Sequence, residues 1–241
     1  MTVTQGCLDP LLSVSAVSVR ALEGVRAGSA LLAVGSRLLV VGDDAHAVGW
    51  CDPASGALTS QVLEGDGRAL SKPLKPDFEC AALAPDGSIW IFGSGSLPQR
   101  TGVVRLAGPG HALATPYDAS RLYSGLAEAL GGLPNLEGAL FHGDLLRLFH
   151  RAAADRPDVW LDIDDDIVVA TGELRLGELY DVPLHLTDAA LLPDGRTAFL
   201  ATAEETADAV SDGPVAGSVL GVVDGEVARW VPLPGVAKAE G

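Results

Sequence analysis

The sequence predicts an all-β fold, a β-propeller of few blades, because one residue pattern recurs along the chain. Each copy is an apolar stretch, a tight polar turn and a second apolar stretch, which is the pattern of a β-hairpin. The copies begin about 50–60 residues apart, a period typical of propeller blades rather than of short solenoid repeats. The four visible copies are 29–42, 79–93, 137–150 and 188–201.

The composition agrees with many short strands joined by turns. The chain has 241 residues, enough for one large domain with a full core, and its 29 glycines and 15 prolines suit frequent turns. One short helix is predicted near 119–130, where Leu122, Leu126 and Leu130 recur every fourth residue. Asp118 precedes this stretch and can cap it.

The first predicted element is a strand over 11–22, where apolar residues nearly alternate with serines. It precedes the first repeat and has no repeat of its own. We expect it to pair with the last blade and close the ring, which removes an open sheet edge. Residues 1–241 then form a single propeller domain.

Four repeats follow this strand, and the sequence leaves open whether the propeller has a degenerate fifth or sixth blade. Pro85-Asp86-Gly87 and Asp224-Gly225 supply tight turns inside two of the repeats, because glycine readily adopts positive φ. The repeats run over about 29–65, 78–118, 135–182 and 187–231.

The charge balance restricts the possible partners. Sixteen basic residues stand against 32 acidic ones, for a formal net charge of −16. Such a surface repels nucleic-acid phosphates and anionic lipids, so we expect neither partner. The first ten residues lack the pattern of a secretory signal, and no apolar run reaches the roughly 18 residues of a membrane span. We therefore expect a cytoplasmic protein, with the oligomeric state left open.

Acidic residues recur where the first strand of a repeat begins. The residues at these positions are Ser29, Glu79, Glu137 and Asp188. In a propeller the first strands line the central channel, so the three acids are expected at one mouth. They repel each other unless a cation or shared protons relieve them, and oxygen ligands favour calcium or magnesium. The alternative is that each acid binds backbone amides of the neighbouring blade.

A second set of polar residues follows the second strand of each repeat and differs between the repeats. In an up-and-down blade this strand ends on the face where the first strand begins, so we expect both sets at one mouth. The residues of this set that we predict to bind a ligand are Asp43, Asp44, Ser94, Ser96, Arg151 and Glu204.

Five residues on the connecting loops complete the predicted ligand site. Asn135 lies two positions before Glu137, so both side chains point the same way on a strand. Arginine and lysine balance the acids or hold an anionic group. The five residues are Lys75, Asp77, Arg100, Asn135 and Asp212. For proton transfer we predict His150, whose imidazole titrates near neutral pH, and Glu137.

Several short motifs, taken together, resemble one family. These are Gly42-Asp43-Asp44, Lys75-Pro76-Asp77-Phe78-Glu79, Gly93-Ser94-Gly95-Ser96, Asn135-Leu136-Glu137-Gly138 and Asp212-Gly213-Pro214. The set looks like an uncharacterised bacterial β-propeller family, distantly similar to phytase-like and esterase-like propellers. The resemblance implies a propeller, and in the phytase-like relatives it implies calcium held by clustered carboxylates. In lactonase-type propellers Glu, Asn and Asp hold one divalent ion, which Glu79 or Glu137 with Asn135 and Asp188 would imitate.

Three functions stay open from the sequence. The first is an acidic pocket that binds a small molecule, with metal-assisted hydrolysis of an ester, lactone or phosphoester if the protein is an enzyme. The second is a non-catalytic scaffold. The third is a carbohydrate-binding module that uses Trp50, Trp90, Trp160 or Trp230, although most of these lie in apolar strands.

Overall fold

The computed structural model describes residues 2–11, 13–15, 19–205, 213–236 and 238–240, and these form an all-β protein with one α-helix. The elements are β1 (Thr2–Leu8), β2 (Gly28–Val34), β3 (Arg37–Gly42), β4 (Ala47–Cys51), β5 (Leu58–Val62), β6 (Phe78–Leu83), β7 (Ile89–Gly93), β8 (Val103–Ala107), β9 (Leu113–Tyr117), α1 (Ser120–Leu130), β10 (Leu136–His142), β11 (Leu145–His150), β12 (Asp158–Asp164), β13 (Ile167–Arg175), β14 (Glu178–Leu179), β15 (Val182–Leu191), β16 (Thr197–Glu204), β17 (Val215–Asp224) and β18 (Val227–Pro232).

The strands form four antiparallel, up-and-down groups of four, which is the topology of propeller blades. Blade 1 is β2–β5, blade 2 is β6–β9, blade 3 is β10–β13 and blade 4 is β15–β18. The predicted fold class, an all-β propeller with one inserted helix, is confirmed. Among the described residues, no helix is long and apolar enough to cross a membrane.

The chain divides into two compact units, and a single ring over 1–241 stays a prediction. One unit is Ser18–Leu136, with blades 1 and 2; the other is Met1–Val17 with Glu137–Glu240, which holds blades 3 and 4. In the first unit the fully buried side chains of Leu39, Phe78 and Ile91 form part of the core.

In the second unit, β1 joins the edges of two blades. It pairs in parallel with β13 on one side and with β18 on the other, so that ten strands make one sheet. The prediction of a terminal strand over 11–22 is wrong, because the described residues of that segment lie in no strand and the strand is at Thr2–Leu8. β1 contributes backbone hydrogen bonds rather than apolar side chains, and of its residues Thr4 alone is fully buried.

The predicted helix lies where the leucine spacing places it. The Asp118 carboxylate accepts a hydrogen bond from the Ser120 amide (3.1 Å), which satisfies one free N–H of the first turn. Leu122 and Leu126 are buried, and Gly131 ends the helix in the left-handed conformation at φ 68°.

A β-bulge interrupts the first strand of three blades and decides which side chains are equivalent. The extra residue is Ser29 in blade 1, Glu79 in blade 2 and Thr187 in blade 4. Asp188, predicted as the counterpart of Glu79, is therefore one position further on and matches Cys80, a core residue. The prediction that Asp188 is equivalent to Glu79 is wrong, although the predicted strand and turn are present.

Replacing Gly6 by alanine tests the close packing of β1. A Cβ at this position would lie 2.4 Å from the Leu176 carbonyl oxygen, which belongs to the backbone and cannot easily move aside. We expect Gly6→Ala to lower the free energy of unfolding by about 1–3 kcal/mol. Urea denaturation measures this loss.

Gly132→Ala is the matched control, because a Cβ there meets nothing within 4 Å. It should change stability by less than about 0.5 kcal/mol. Equal stability of the two variants would show that β1 does not pack as described.

Candidate functional site

Backbone hydrogen bonds at the strand ends of blades 1 and 2 bring three predicted site residues together. The Asp77 amide donates to the Asp43 carbonyl (3.0 Å), and the Ser94 amide donates to the Asp77 carbonyl (2.8 Å). Asp43 follows β3, Asp77 precedes β6 and Ser94 follows β7. Polar residues at the end of a second strand therefore lie beside the start of the next first strand, as the sequence predicts for this unit.

The carboxylate of Asp77 is buried, with 5% of the side chain exposed, and four side-chain donors contact it. Its Oδ1 lies 2.6 Å from Lys75 Nζ, and its Oδ2 accepts a hydrogen bond from Arg100 Nη1 (2.9 Å). The hydroxyls of Ser94 (2.5 Å) and Ser96 (3.3 Å) also donate to Oδ2. Burial alone would raise the pKa of Asp77, but the Lys75 and Ser94 hydrogen bonds and the nearby cations lower it below its ordinary value.

Asp43, Asp77 and Glu79 form a group that we call the acidic cluster. Each offers a carboxylate oxygen, and these oxygens lie within 4.8 Å of one another. Lys75 also contacts Asp43 Oδ2, so its ammonium bridges two members. Burial opposes the charge of Lys75, but its hydrogen bonds to Asp43 and Asp77 raise its pKa above the ordinary value. Within the described part of the chain, buried Asp43 Oδ1 has no hydrogen-bond partner.

Glycines let the loop after β7 pass close to its neighbours. A Cβ on Gly93 would lie 2.3 Å from the Arg100 carbonyl oxygen, and Gly95 has φ 73° with Tyr123 and Pro134 against it. The Tyr123 hydroxyl donates to the Gly93 carbonyl at 2.6 Å. The Gly-Ser-Gly-Ser motif therefore gives the loop the shape that turns both serine hydroxyls toward Asp77.

A second charged group lies in the other unit, and we call it the Arg151 cluster: Glu137, Arg151, Glu204 and Lys238. Arg151 Nη2 donates to Glu204 Oε2 (2.7 Å), and Nη1 lies 3.5 Å from Glu137 Oε1. Lys238 Nζ lies 3.5 Å from Glu204 Oε2. Burial would raise the pKa of Glu204, but the Arg151 hydrogen bond and the Gly213 amide lower it.

Asp188 lies in the same unit, in a position that the bulge makes unfavourable for charge. Its position corresponds to a core residue of blade 2, and burial raises its pKa to about 7, with Glu137 adding a smaller repulsive contribution. Near neutral pH, Asp188 is therefore divided between its neutral and ionised forms.

His150 ends β11, as predicted, but burial lowers its pKa to about 4. The imidazole is therefore neutral at physiological pH and a weak base. Its catalytic role, like that of Glu137, stays a prediction.

The remaining predicted residues are more dispersed. Asp44 Oδ2 lies 3.7 Å from Nε of exposed Arg26, and the Asp44 carbonyl accepts a hydrogen bond from the Leu70 amide. Asn135 is buried directly before β10. Asp212 lies outside the described residues.

Of the three predicted metal ligands, Glu79 belongs to one unit and Glu137 and Asp188 belong to the other, so the convergence of all three stays a prediction. The structure adds two charged residues that the sequence did not indicate as partners. His185 and Asp158 lie 27 positions apart and bond to each other, a separation that no local pattern reveals.

The tryptophans take part in packing within the blades. Trp50 and Trp230 are buried, and their indole N–H groups donate to Gln61 Oε1 and the Leu176 carbonyl, both at 2.7 Å. Arginine guanidinium groups stack over the rings of Trp50, Trp90 and Trp160. These contacts favour a structural role over carbohydrate binding.

Residues 24–241 match the model of a family of unknown function, DUF6929. The chain belongs to this family. No functionally described protein matches the sequence significantly. The DUF6929 family model covers both clusters.

Solved structures similar to this DUF6929 chain have low sequence identity. U3-55K is 13% identical with a TM-score of 0.42, over 90% of this chain and 55% of the other. A luciferin-regenerating enzyme is 10% identical with a TM-score of 0.46, over 87% and 77%. A putative gluconolactonase is 15% identical with a TM-score of 0.40, over 85% and 62%. The chain thus spans little more than half of U3-55K, and none of these names is evidence for its activity.

Removing Arg100 tests whether the charge of Asp77 depends on its partners. We expect Arg100→Met to lower the free energy of unfolding by about 3–5 kcal/mol, because a buried carboxylate loses a cation. Arg105→Met is the control, since Arg105 pairs with Asp86 on the exposed surface and should cost roughly 0–1 kcal/mol. Similar losses in urea denaturation would contradict a special role for Arg100.

Asp188→Asn tests the raised pKa. When an acid has a higher pKa in the folded state than in the unfolded state, the protein loses stability as pH rises from the unfolded pKa to the folded pKa. For Asp188 this range is from about 4 to about 7. The variant should therefore be more stable than the wild type at pH 8, by roughly 1–4 kcal/mol, and about equal at pH 4. Denaturation curves across this range measure the difference, and a variant that is less stable at pH 8 would refute the assignment.

Proposed function

We propose that blades 1 and 2 bind a divalent cation at the acidic cluster and that this site takes a small ligand. The observation that carries the proposal is the convergence of oxygens from Asp43, Asp77 and Glu79 within 4.8 Å, with Asp43 Oδ1 buried and unpartnered among the described residues. An oxygen-only donor set suits calcium or magnesium better than zinc.

Lys75 occupies the position of a resident cation in this cluster. Its ammonium bridges Asp43 and Asp77, so a metal ion has to compete with it for the same oxygens. The exposed fraction of the Lys75 side chain is 13%, and its flexible stem allows the head group to move aside. We therefore expect weak metal binding in the wild type and tighter binding when Lys75 is neutralised.

The reaction that we propose is hydrolysis of a small ester, lactone or phosphoester. A bound divalent ion polarises a substrate oxygen and lowers the pKa of a bound water. Arg100 and the serine hydroxyls orient Asp77, and the low dielectric around them strengthens these contacts. A net charge of −16 disfavours highly phosphorylated substrates, so among phytase-like and esterase-like chemistries we favour the ester or lactone.

The same proposal includes the other expectations from the sequence. The partner is a small molecule rather than nucleic acid or a membrane surface, and the protein is bacterial and cytoplasmic. The acidic balance of the chain supports the first of these.

A non-catalytic scaffold is the second candidate function. It is favoured by the four donors already around Asp77, because a carboxylate with all these partners can have a purely structural role in holding two blades together. In that case Lys75 is a structural ion-pair partner and not a competitor of a metal.

Titration of calcium and magnesium during thermal unfolding separates the two functions. Binding to the native state stabilises it by about 2.7 kcal/mol at 100 times Kd, so the midpoint rises by several degrees. Lys75→Met should bind the ion at least about tenfold more tightly than the wild type, since a competing charge is gone. Asp43→Asn should bind it more weakly.

Asp86→Asn is the matched control, because Asp86 is an exposed acid of blade 2. It should leave metal binding unchanged. If Lys75→Met is destabilised and neither it nor the wild type responds to 10 mM metal (about ten times a weak Kd of 1 mM), the cation site is refuted. A screen of esters, lactones and phosphoesters with and without the bound ion then tests the hydrolase.

A further inference from the structure

His185 on β15 is buried, with 3% of its side chain exposed, and hydrogen-bond acceptors face both ring nitrogens. Nδ1 lies 2.8 Å from Asp158 Oδ1, and Nε2 lies 2.9 Å from the Ala154 carbonyl oxygen. A carbonyl oxygen can only accept a hydrogen bond. Nε2 therefore has to carry a proton.

Asp158 is an acceptor as well, because backbone amides occupy both of its oxygens. Ala152 donates to Oδ1 at 2.8 Å and Leu186 donates to Oδ2 at 2.7 Å. A carboxylate that accepts this many bonds is ionised. Nδ1 then also carries a proton, so that His185 is a buried imidazolium.

The two bonds of His185 hold the loop 151–157 between β11 and β12. Ala154 has φ 58°, a left-handed conformation that costs a non-glycine residue energy and that neighbouring contacts have to maintain. The same loop begins with Arg151, whose guanidinium contacts Glu137 and Glu204. The contact between Ala154 and His185 thus lies three residues from the side chain at the centre of the Arg151 cluster.

We propose that His185 is a proton-operated latch, whose charged form fixes the loop 151–157 and thereby holds Arg151 on Glu137 and Glu204. A neutral imidazole keeps one N–H, which stays on the Asp158 carboxylate because that bond is charge-assisted. The lone pair of Nε2 then faces the Ala154 oxygen at 2.9 Å. This contact is repulsive, so the loop opens when the proton leaves.

The charged groups around His185 determine the direction of the titration. Burial and the positive charge of Arg151 favour the neutral form, while Asp158 and the Ala154 carbonyl favour the charged form and raise the pKa above its ordinary value. The neighbouring His150 is neutral, as its pKa is about 4. A group with a raised pKa stabilises the fold below its unfolded pKa of about 6.5 and ceases to do so as pH rises through the folded value.

Nitrogen-15 NMR of the full-length protein tests the latch directly. At pH 6 both His185 nitrogens should carry protons, and the ring should titrate above the ordinary histidine pKa of about 6.5. Through that titration, hydrogen exchange at the Ala152 amide should accelerate beyond the intrinsic pH effect, and the Arg151 guanidinium signals should shift. A singly protonated His185 at pH 6, or an Ala152 amide and Arg151 signals that stay constant through the titration, would overturn the proposal.

A variant pair separates the latch from other titrations. His185→Gln can donate to one acceptor but does not titrate, so loop exchange should lose its excess pH dependence above pH 6.5 (about the unfolded pKa of His). His142→Gln should retain that dependence. Asp188 has a pKa of about 7 and therefore titrates in the same pH range as the proposed latch. Repeating the measurement in Asp188→Asn should leave the excess pH dependence in place. If loop exchange in His185→Gln keeps its excess pH dependence, another group controls the loop and the proposal is wrong.

Discussion

The charge of Asp77 has to be neutralised inside blades 1 and 2, and this constraint organises the loops at their strand ends. Asp77 adopts φ 56°, a strained value for a non-glycine residue, and is held there by backbone bonds to Asp43 and Ser94. Its carboxylate then lies away from bulk water and needs cations close by. Lys75 and Arg100 supply them from the loops before β6 and after β7.

In the unit with blades 3 and 4, some buried ionisable groups pair with an opposite charge and others change their protonation. Arg151 pairs with Glu204 and lies near Glu137, as Arg100 pairs with Asp77. Asp188 instead keeps its proton toward neutral pH, because burial and the nearby Glu137 carboxylate raise its pKa to about 7. His185 gains a proton because acceptors face both of its nitrogens. Burial is the common cause, since an ionisable group in a dry site either finds a partner or changes its protonation.

The repeat of strand, turn and strand was predictable because each hairpin is encoded locally, and the helix at Ser120–Leu130 followed from leucine spacing. β1 was not predictable, because parallel pairing at two edges uses backbone groups and leaves little apolar pattern. Asp188 was misaligned because a bulge shifts the register by one residue, and no local signal marks it. The bond between Arg151 and Glu204 spans 53 positions, beyond the reach of any periodicity.

The acidic cluster offers too few free oxygens to surround the divalent ion that we propose it binds. Calcium takes about six to eight oxygens, and magnesium keeps several of its waters. Arg100, Ser94 and Ser96 already occupy Asp77 Oδ2, so the three carboxylates cannot complete such a shell. An ion held there would keep water ligands, which weakens its binding against Lys75. Metal-assisted hydrolysis requires such a retained water, so the proposed weak binding and the proposed hydrolysis both rest on one incomplete donor set.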